Sequence, residues 1–231
     1  MKISIIIPCY NEVNYVEEIV DRIHKKSPYE NEIIVIDDDS KDGTREILNK
    51  MEGNKISKLI KNDKNYGKGY CIRQGIKFAS GEIIIIQDAD LEYDPSDYVK
   101  LIDPIKDNIA DVVFGSRFIG MELVRVHLFW HRIGNLILTT VSNIMTNLNL
   151  TDMEICYKAF KADILKNINL YENRFGFEPE VTAKISKIKK IRIYEVPVKY
   201  FGRSYSEGKK IGWKDGLSAL RCVFYYNLFS K

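Results

Sequence analysis

The chain has 231 residues, of which 45% are hydrophobic and 29% are charged, so it is long enough to bury a sizeable core. Its 35 basic and 32 acidic residues give a net charge of +3, and this near balance argues against a nucleic-acid-binding protein, which usually carries a strongly basic surface. The four cysteines are far apart and form no CxxC pair, so we expect free thiols in a reducing cytoplasm and no structural zinc site.

The first half of the chain alternates apolar strands with amphipathic helices. Strands are predicted over 3–8, 32–37, 57–62, 82–87 and 110–116, and helices over 14–26, 43–51, 69–80 and 95–105, the last broken by Pro104. Such Ile- and Val-rich runs between helices predict an α/β fold with a mostly parallel sheet that is covered on both faces. Ligands bind such sheets beyond the carboxyl ends of the strands, so the residues that follow each strand are the informative ones.

The second half is less regular. Apolar residues recur at helical spacing between Ile133 and Leu148, and interrupting Asn and Thr residues favour an amphipathic helix over a membrane span. A helix over 175–188, a strand over 191–200, a loop over 201–212 and an apolar helix over 213–229 are predicted to follow. Since no repeat or linker divides the sequence, we expect a single domain over residues 1–231.

Acidic residues occupy every second position after the fourth predicted strand, at Asp88, Asp90, Glu92 and Asp94. If the strand conformation continued, all four carboxylates would lie on one face and repel one another. Some would then be protonated, or a cation would lie among them. Oxygen ligands at this edge suit Mg²⁺ or Mn²⁺, which would shield a diphosphate. A solvated acidic turn is the simpler alternative.

Other polar residues follow neighbouring strands. Asp37 or Asp38 could accept hydrogen bonds from a base or ribose, and Lys64, Lys68 and Arg117 are candidate contacts for a diphosphate or an acceptor. The glycines of the YGKG segment would let the backbone approach a ligand closely. Because this segment matches neither a P-loop nor GxGxxG, a dinucleotide-dependent oxidoreductase is disfavoured.

Three motifs on successive strands, SIIIPCYNE, EIIVIDDDSKDGT and DAD, together resemble a family 2 glycosyltransferase of the GT-A fold over residues 2–120. The later segments VFGSRF, TDMEICYKAF, RFGFEPE and EVPVKYFGRSYSEGKKIGWKDG are similar to the subgroup of dolichyl-phosphate mannose and polyprenyl-phosphate sugar synthases. The resemblance implies a single domain with a Rossmann-like, mostly parallel sheet flanked by helices. Residues 1–120 would bind the nucleotide sugar, and residues 121–231 would bind the acceptor and include the C-terminal helix.

The resemblance also implies roles for residues on the donor side. Pro8, Tyr10 and Glu12 would line the nucleotide pocket, and Asp38 would hold the base or ribose of a GDP- or UDP-sugar.

Further donor contacts would come from the turn after the fourth strand. Asp88 and Ala89 would contact the nucleotide sugar, and Asp90 would ligate Mg²⁺ or Mn²⁺. Glu92 would complete the coordination, at a position where the subgroup often has glutamine.

On the acceptor side, the resemblance implies that Arg117 and Arg132 grip the acceptor phosphate and that Arg203 and Lys209 lie on a loop that closes over the diphosphate. The subgroup's loop more often ends in a Ser–Lys pair, whereas this chain has Gly208 before Lys209. Asp88, Asp90 and Arg117 would be the catalytic group.

The acceptor decides whether a base is needed. The family implies inversion by direct in-line attack, and a lipid phosphate is already anionic near pH 7. A sugar hydroxyl would need a carboxylate base within hydrogen-bonding distance, for which Asp152, Glu178 and Glu180 are candidates. The sequence lacks the ED pair of hydroxyl-acceptor members, which favours a polyprenyl phosphate. The alternative is a glycosyltransferase that acts on a carbohydrate hydroxyl in cell-surface polysaccharide or glycoprotein assembly.

Many relatives in this subgroup carry transmembrane helices after the catalytic domain, and this sequence ends at Lys231 without them. We therefore expect a cytoplasmic protein that contacts the membrane peripherally, relies on a membrane partner or uses an acceptor that is not a lipid. The aromatic and cationic residues of 127–132 and the C-terminal helix are the candidate membrane contacts. A sugar-nucleotide pyrophosphorylase and a non-catalytic sugar-nucleotide sensor are the remaining alternatives.

Overall fold

A central β-sheet organises the computed structural model, which describes residues 1–120, 126, 128–203 and 212–229. Within these residues the strands are β1 (Lys2–Cys9), β2 (Glu30–Asp37), β3 (Lys58–Lys61), β4 (Ile83–Ile86), β5 (Val112–Ser116), β6 (Lys158–Lys161) and β7 (Ile193–Pro197). They form one sheet in the order β3-β2-β1-β4-β6-β5-β7. β6 runs antiparallel to its neighbours β4 and β5, and the other pairs are parallel. The predicted α/β fold with a mostly parallel sheet is confirmed.

Helices flank this sheet. They are α1 (Val16–Lys26), α2 (Thr44–Met51), α3 (Lys68–Phe78), α4 (Tyr98–Lys106), α5 (Phe129–Thr146), α6 (Ala162–Lys166), α7 (Phe177–Ser186) and α8 (Trp213–Leu228). The isoleucines of β1, β2 and β4 are fully or almost fully buried against them, because helices cover both faces of these central strands. No helix in the described ranges is long and apolar enough to cross a membrane.

One predicted helix differs from the structure. The segment 95–105 begins with a 3₁₀ turn at Pro95–Asp97, and the prediction that Pro104 breaks the helix is wrong, because α4 continues to Lys106. A proline removes one helical hydrogen bond, and so close to the end of a helix that loss is small. The carbonyl of Pro104 also accepts hydrogen bonds from the amides of Ile109 and Ala110, which close the helix end.

The strand directions bring distant segments to one edge of the sheet. β1, β2, β4 and β5 run the same way, so the residues that follow them meet at their common carboxyl edge. β6 runs in the opposite direction, with Lys158 opposite Phe114 of β5. The segment that precedes β6, residues 152–157, therefore reaches the same edge. A prediction that considers only the residues after each strand does not anticipate this.

Candidate active site

A cavity of about 1020 Å³ opens at this edge of the sheet. The donor, metal and acceptor residues that the resemblance implied all line it where the structure describes them, namely Pro8, Tyr10, Glu12, Asp38, Asp88, Ala89, Asp90, Glu92, Arg117, Arg132 and Arg203. Lys209 lies outside the described residues.

The acidic side of the cavity is built by the turn after β4. The strand ends at Ile86, and Leu91 has a φ of 62°, so the chain turns instead of remaining extended. Asp90 and Glu92 still face the cavity, whereas Asp94 caps the following 3₁₀ turn and pairs with Lys26 at 2.7 Å. The four acids therefore do not share one face, since the turn directs the fourth carboxylate away from the cavity.

Arg203 lies among the acids of the cavity. Its guanidinium bonds Asp90 at 2.8 Å and Glu12 at 3.1 Å, and its backbone amide donates to Glu92 at 2.7 Å. Tyr200 also donates from its hydroxyl to Glu92, at 2.9 Å. These contacts place the predicted closing-loop arginine directly against the predicted metal ligands.

The same acids suit a divalent cation. Burial and the neighbouring carboxylates of Asp88 and Glu92 raise the pKa of Asp90 well above its usual range, which reports an excess of negative charge that a cation would relieve. In the described part of the chain, no three Asp, Glu, His or Cys side chains already converge as a metal cage. Mg²⁺ commonly takes only one or two protein carboxylates and completes its shell with water and phosphate. Asp90 and Glu92 therefore fit such an ion.

Asp88 belongs to a chain of charges that continues across the cavity wall. Lys68, at the first position of α3, pairs with Asp88 at 3.0 Å and with Glu178 of α7 at 3.2 Å. Lys68 thus lies at the cavity wall, where its contact with a diphosphate or an acceptor stays a prediction, and it also neutralises one of the candidate bases. Lys64 instead lies 4.9 Å from the ring centroid of Tyr66 and does not line the cavity.

Asp38 organises the loop that precedes α3. Its carboxylate accepts hydrogen bonds from the backbone amides of Tyr66 and Gly67, at 2.9 and 2.7 Å, and from the side chain of Asn62 at 2.7 Å. Asp37, the alternative donor contact, is fully buried and pairs with Arg45. Asp38 is thus the one of the two that lines the cavity, and its contact with a base or ribose stays a prediction.

The glycines of the YGKG segment lie against another part of the backbone. Gly67 has a φ of +100°, and a Cβ there would lie 2.5 Å from the carbonyl oxygen of Asn173. A Cβ on Gly69 would lie 2.4 Å from the carbonyl oxygen of Glu172. The close approach that these glycines permit is to the backbone of 172–174; Gly67 also lines the cavity, and its approach to a ligand stays a prediction.

Arg117 makes a bidentate ion pair with Asp152. Its Nε and Nη2 donate to the two carboxylate oxygens at 2.6 and 2.7 Å, and Asn135 donates to the same carboxylate at 3.0 Å. A guanidinium has five N–H donors, so this pairing fixes Arg117 while leaving donors for another anion. Arg132 lies with its guanidinium 5.0 Å from the ring centroid of Phe118, on the same side of the cavity.

The three predicted base candidates are engaged by cations. Asp152 is held by Arg117 and Glu178 by Lys68. Glu180 pairs with Lys184 and accepts two backbone amides, from Tyr171 and Glu172. Glu178 alone of the three lines the described cavity. The ion pairs disfavour each of them as a proton acceptor.

Glu154 is the carboxylate that the sequence reasoning missed. It lines the cavity, and its Oε1 is buried without a hydrogen-bond partner among the described residues. Burial, with Glu178 nearby, raises the pKa of Glu154 to about 8. The available signal was an acid between Met153 and Ile155, in an otherwise apolar segment that enters a strand.

The sequence matches one family over most of its length: the model of Glycosyl transferase family 2 covers residues 4–168. A dolichol-phosphate mannosyltransferase of Pyrococcus furiosus is 31% identical over 221 residues, which cover 92% of this chain and 60% of that protein. An undecaprenyl-phosphate mannosyltransferase of Micrococcus luteus is 30% identical over 224 residues, which cover 92% of this chain and 88% of that protein. This chain therefore spans less than two thirds of the Pyrococcus relative.

Solved structures share the fold. A glucosyl-3-phosphoglycerate synthase from Mycobacterium tuberculosis, in complex with Mn²⁺, UDP and phosphoglyceric acid, superposes with a TM-score of 0.74 at 16% identity. The superposition covers 98% of this chain and 78% of that one. At this identity the likeness concerns the architecture, and it confirms the predicted GT-A fold.

Proposed function

Since this chain belongs to Glycosyl transferase family 2, we propose that it uses Mg²⁺ or Mn²⁺ to transfer a sugar, with inversion, from a GDP- or UDP-sugar to a polyprenyl phosphate. The observation that carries the proposal is the shared cavity, which Asp88, Asp90 and Glu92 line together with Arg117 and Arg132. Carboxylates with a cation suit the diphosphate of a donor, and paired arginines suit a second phosphate.

On the donor side, Pro8, Tyr10 and Glu12 would contact the nucleotide, and Asp38 would do so from the loop that it organises. Asp90 and Glu92 would hold the metal ion, which when bound neutralises charge on the departing nucleoside diphosphate.

The diphosphate also needs contacts from the protein itself. Asp88 and the backbone at Ala89 would position the sugar nucleotide, and Lys68 adds a positive charge at the same wall. Arg203 would turn from the carboxylates to the diphosphate once a metal ion occupies them, and Lys209 would follow on the same loop.

On the acceptor side, a phosphate needs positioning and no deprotonation. Arg117 is held by Asp152 with donors to spare, and Arg132 lies on the same side of the cavity. The ion pairs at Asp152, Glu178 and Glu180 support this choice, because a cation of the protein already engages each of the three candidates for the base that a hydroxyl acceptor would need. The relatives named for dolichol and undecaprenyl phosphates support it as well.

A second function, transfer to a carbohydrate hydroxyl, is favoured by one observation. Glu154 lines the cavity with a pKa of about 8, a value that suits a general base near neutral pH. Under this alternative, turnover would require a sugar acceptor and would not respond to lipid phosphate.

Peripheral membrane contact is a further part of the proposal. Beside the cavity, α5 and the C-terminal helix α8 pack together and expose large apolar side chains, which are Phe129, Trp130, Leu136, Ile137, Ile144, Leu217, Phe224, Tyr225 and Leu228, with Leu128 and Phe229 adjoining. Trp130 also lines the cavity. A face of this kind next to the cavity supports docking on a cytoplasmic membrane surface, where a polyprenyl phosphate could enter.

The decisive experiment measures release of nucleoside diphosphate from a panel of GDP- and UDP-sugars with Mg²⁺ or Mn²⁺, with and without a short polyprenyl phosphate. We expect release that requires both the metal ion and the lipid phosphate, and no release from Asp90→Ala. Turnover only with a sugar acceptor would replace the proposal by the second function. Binding of a nucleotide sugar without any turnover would leave a sensor, and family membership already argues against a pyrophosphorylase.

A further inference from the structure

Glu154 lines the cavity and has an unused polar atom. Its Oε1 is buried and has no hydrogen-bond partner among the described residues, although the residue lines the cavity. Buried polar atoms in folded proteins are almost always hydrogen-bonded, and an exception at a cavity wall points to a partner that binds there.

The backbone on both sides of Glu154 is fixed. Lys158 is fully buried, and its ammonium donates to the carbonyl oxygen of Met153 at 3.1 Å and to that of Ile155. The same ammonium lies 4.9 Å from the ring centroid of Phe114 on the neighbouring strand. A buried cation thus holds the residues before and after Glu154, so this carboxyl group is presented by a rigid segment.

The charges around Glu154 define its place in the cavity. Its carboxyl group is close enough to interact electrostatically with Glu178, which Lys68 links to Asp88, and with Arg117; Lys158 and Asp152 also act on it. In the proposed reaction the transferred sugar must lie between the donor diphosphate and the acceptor phosphate. We propose that Glu154 hydrogen-bonds a hydroxyl group of the transferred sugar and thereby contributes to the choice of donor. This inference rests on the proposed function.

The chemistry of the site favours a neutral carboxyl group. Burial and Glu178 raise the pKa of Glu154 to about 8, so the group is largely protonated at neutral pH. A neutral carboxyl group both donates and accepts hydrogen bonds, as recognition of a sugar hydroxyl requires, and it does not repel the two phosphates beside it. A glutamine has the same shape and the same two capacities.

The test separates binding of the sugar from binding of the nucleotide. Calorimetry with Mn²⁺ would compare UDP with UDP-glucose and GDP with GDP-mannose, for the wild type, Glu154→Ala and Glu154→Gln. For the donor that the wild type binds, we expect Glu154→Ala to lower the affinity for the sugar nucleotide about tenfold. The affinity for the corresponding nucleoside diphosphate should not change. Glu154→Gln should retain most of the affinity and of the turnover. Thermal unfolding would establish that both variants are folded.

Three results would overturn the inference. If Glu154→Ala lowered the affinities for the nucleoside diphosphate and for the sugar nucleotide equally, the role of the residue would be structural. Unchanged affinity in Glu154→Ala would remove it from sugar recognition. Wild-type binding combined with abolished turnover in Glu154→Gln would make it a base and would favour the hydroxyl acceptor. A wild type that binds no nucleotide sugar would instead overturn the proposed function, and this inference with it.

Discussion

The Nη2 atom of Arg203 donates a hydrogen bond of 2.8 Å to Oδ2 of Asp90, the carboxylate that the proposed function assigns to the metal ion. The same guanidinium pairs with Glu12 at 3.1 Å. A cation of the protein thus occupies the carboxylates that a divalent ion would need. Metal binding and release of Arg203 from Asp90 should therefore be coupled.

Removal of Arg203 should strengthen metal binding in the absence of nucleotide. The charge of Arg203 competes with the metal ion for Asp90, so Arg203→Ala should bind Mn²⁺ about tenfold more tightly, which corresponds to about 1.4 kcal/mol. Donor turnover should nevertheless fall, because the diphosphate loses a contact. Electron paramagnetic resonance titration of Mn²⁺ would measure the affinity. Arg203→Lys, which keeps the charge, should bind Mn²⁺ like the wild type, and tighter binding there would refute the competition.

Two neighbouring aspartates should differ sharply in function. Asp90→Asn removes a charge from the predicted metal site and should lower metal-dependent donor turnover by at least about 100-fold. Asp94→Asn is the matched control, because Asp94 caps a 3₁₀ turn, pairs with Lys26 and does not line the main cavity. Asparagine also caps well, so this variant should keep its activity. Equal losses in both variants would show that the turn as a whole, and not the Asp90 carboxylate, determines turnover.

The sequence predicted the sheet and the edge at which the cavity opens, because both follow from short-range patterns. Buried Ile and Val runs indicated β1, β2 and β4, and the carboxyl edge of a parallel sheet is a general place for ligands. The positions of Asp88 and Asp90 at the cavity followed from those two facts, which left Asp37 and Asp38 as alternatives after the neighbouring strand.

Contacts between distant residues could not be predicted in the same way. Arg203 and Asp90 are 113 residues apart, and Arg117 and Asp152 are 35 apart, so their pairing depends on packing that no local pattern encodes. Glu154 was missed because the strand that follows it, β6, enters the sheet antiparallel, which brings the residues before that strand to the cavity edge.

Asp152 should matter for stability as well as for acceptor binding. Asp152 is fully buried and neutralises Arg117 through two hydrogen bonds, so Asp152→Asn leaves a partly buried guanidinium without its counter-charge. Breaking one partner of such a pair typically costs about 3–5 kcal/mol in the free energy of unfolding. Urea denaturation would measure this loss. Asp163 is exposed and supplies the control. Asp163→Asn should change the free energy of unfolding by no more than about 0.5 kcal/mol. A similarly small effect at Asp152 would contradict the role of the ion pair.

Glu32 should make the fold sensitive to acid. Burial acts to raise the pKa of Glu32, but hydrogen bonds from Ser4 and Ser80 outweigh it and lower the value to about 2. The folded-state pKa then lies below the unfolded value of about 4.3. The stabilisation is therefore present above about pH 4 and is lost as the pH falls toward 2. Urea denaturation at a series of pH values between 7 and 2 would measure the free energy of unfolding. In Glu32→Gln, this free energy should depend less on pH than in the wild type. Glu30 lies on the same strand but is exposed, so Glu30→Gln should keep the pH dependence of the wild type. Identical pH profiles for both variants would contradict the role of Glu32 in acid sensitivity.

The apolar face of α5 should bind membranes if the acceptor is a lipid. Phe129 is 64% exposed at the start of α5, next to Trp130 of the cavity wall. Burying an aromatic ring in a bilayer interface contributes about 1.5–3 kcal/mol at most, so Phe129→Ser should weaken vesicle binding by about tenfold or more. Sedimentation with phosphatidylglycerol vesicles would measure this. Ile109 is 50% exposed in the loop after α4 and supplies the control, because Ile109→Ser removes a comparable apolar side chain away from the cavity. Equal binding of the wild type and both variants would exclude this face from docking and would turn attention to a membrane partner or a soluble acceptor.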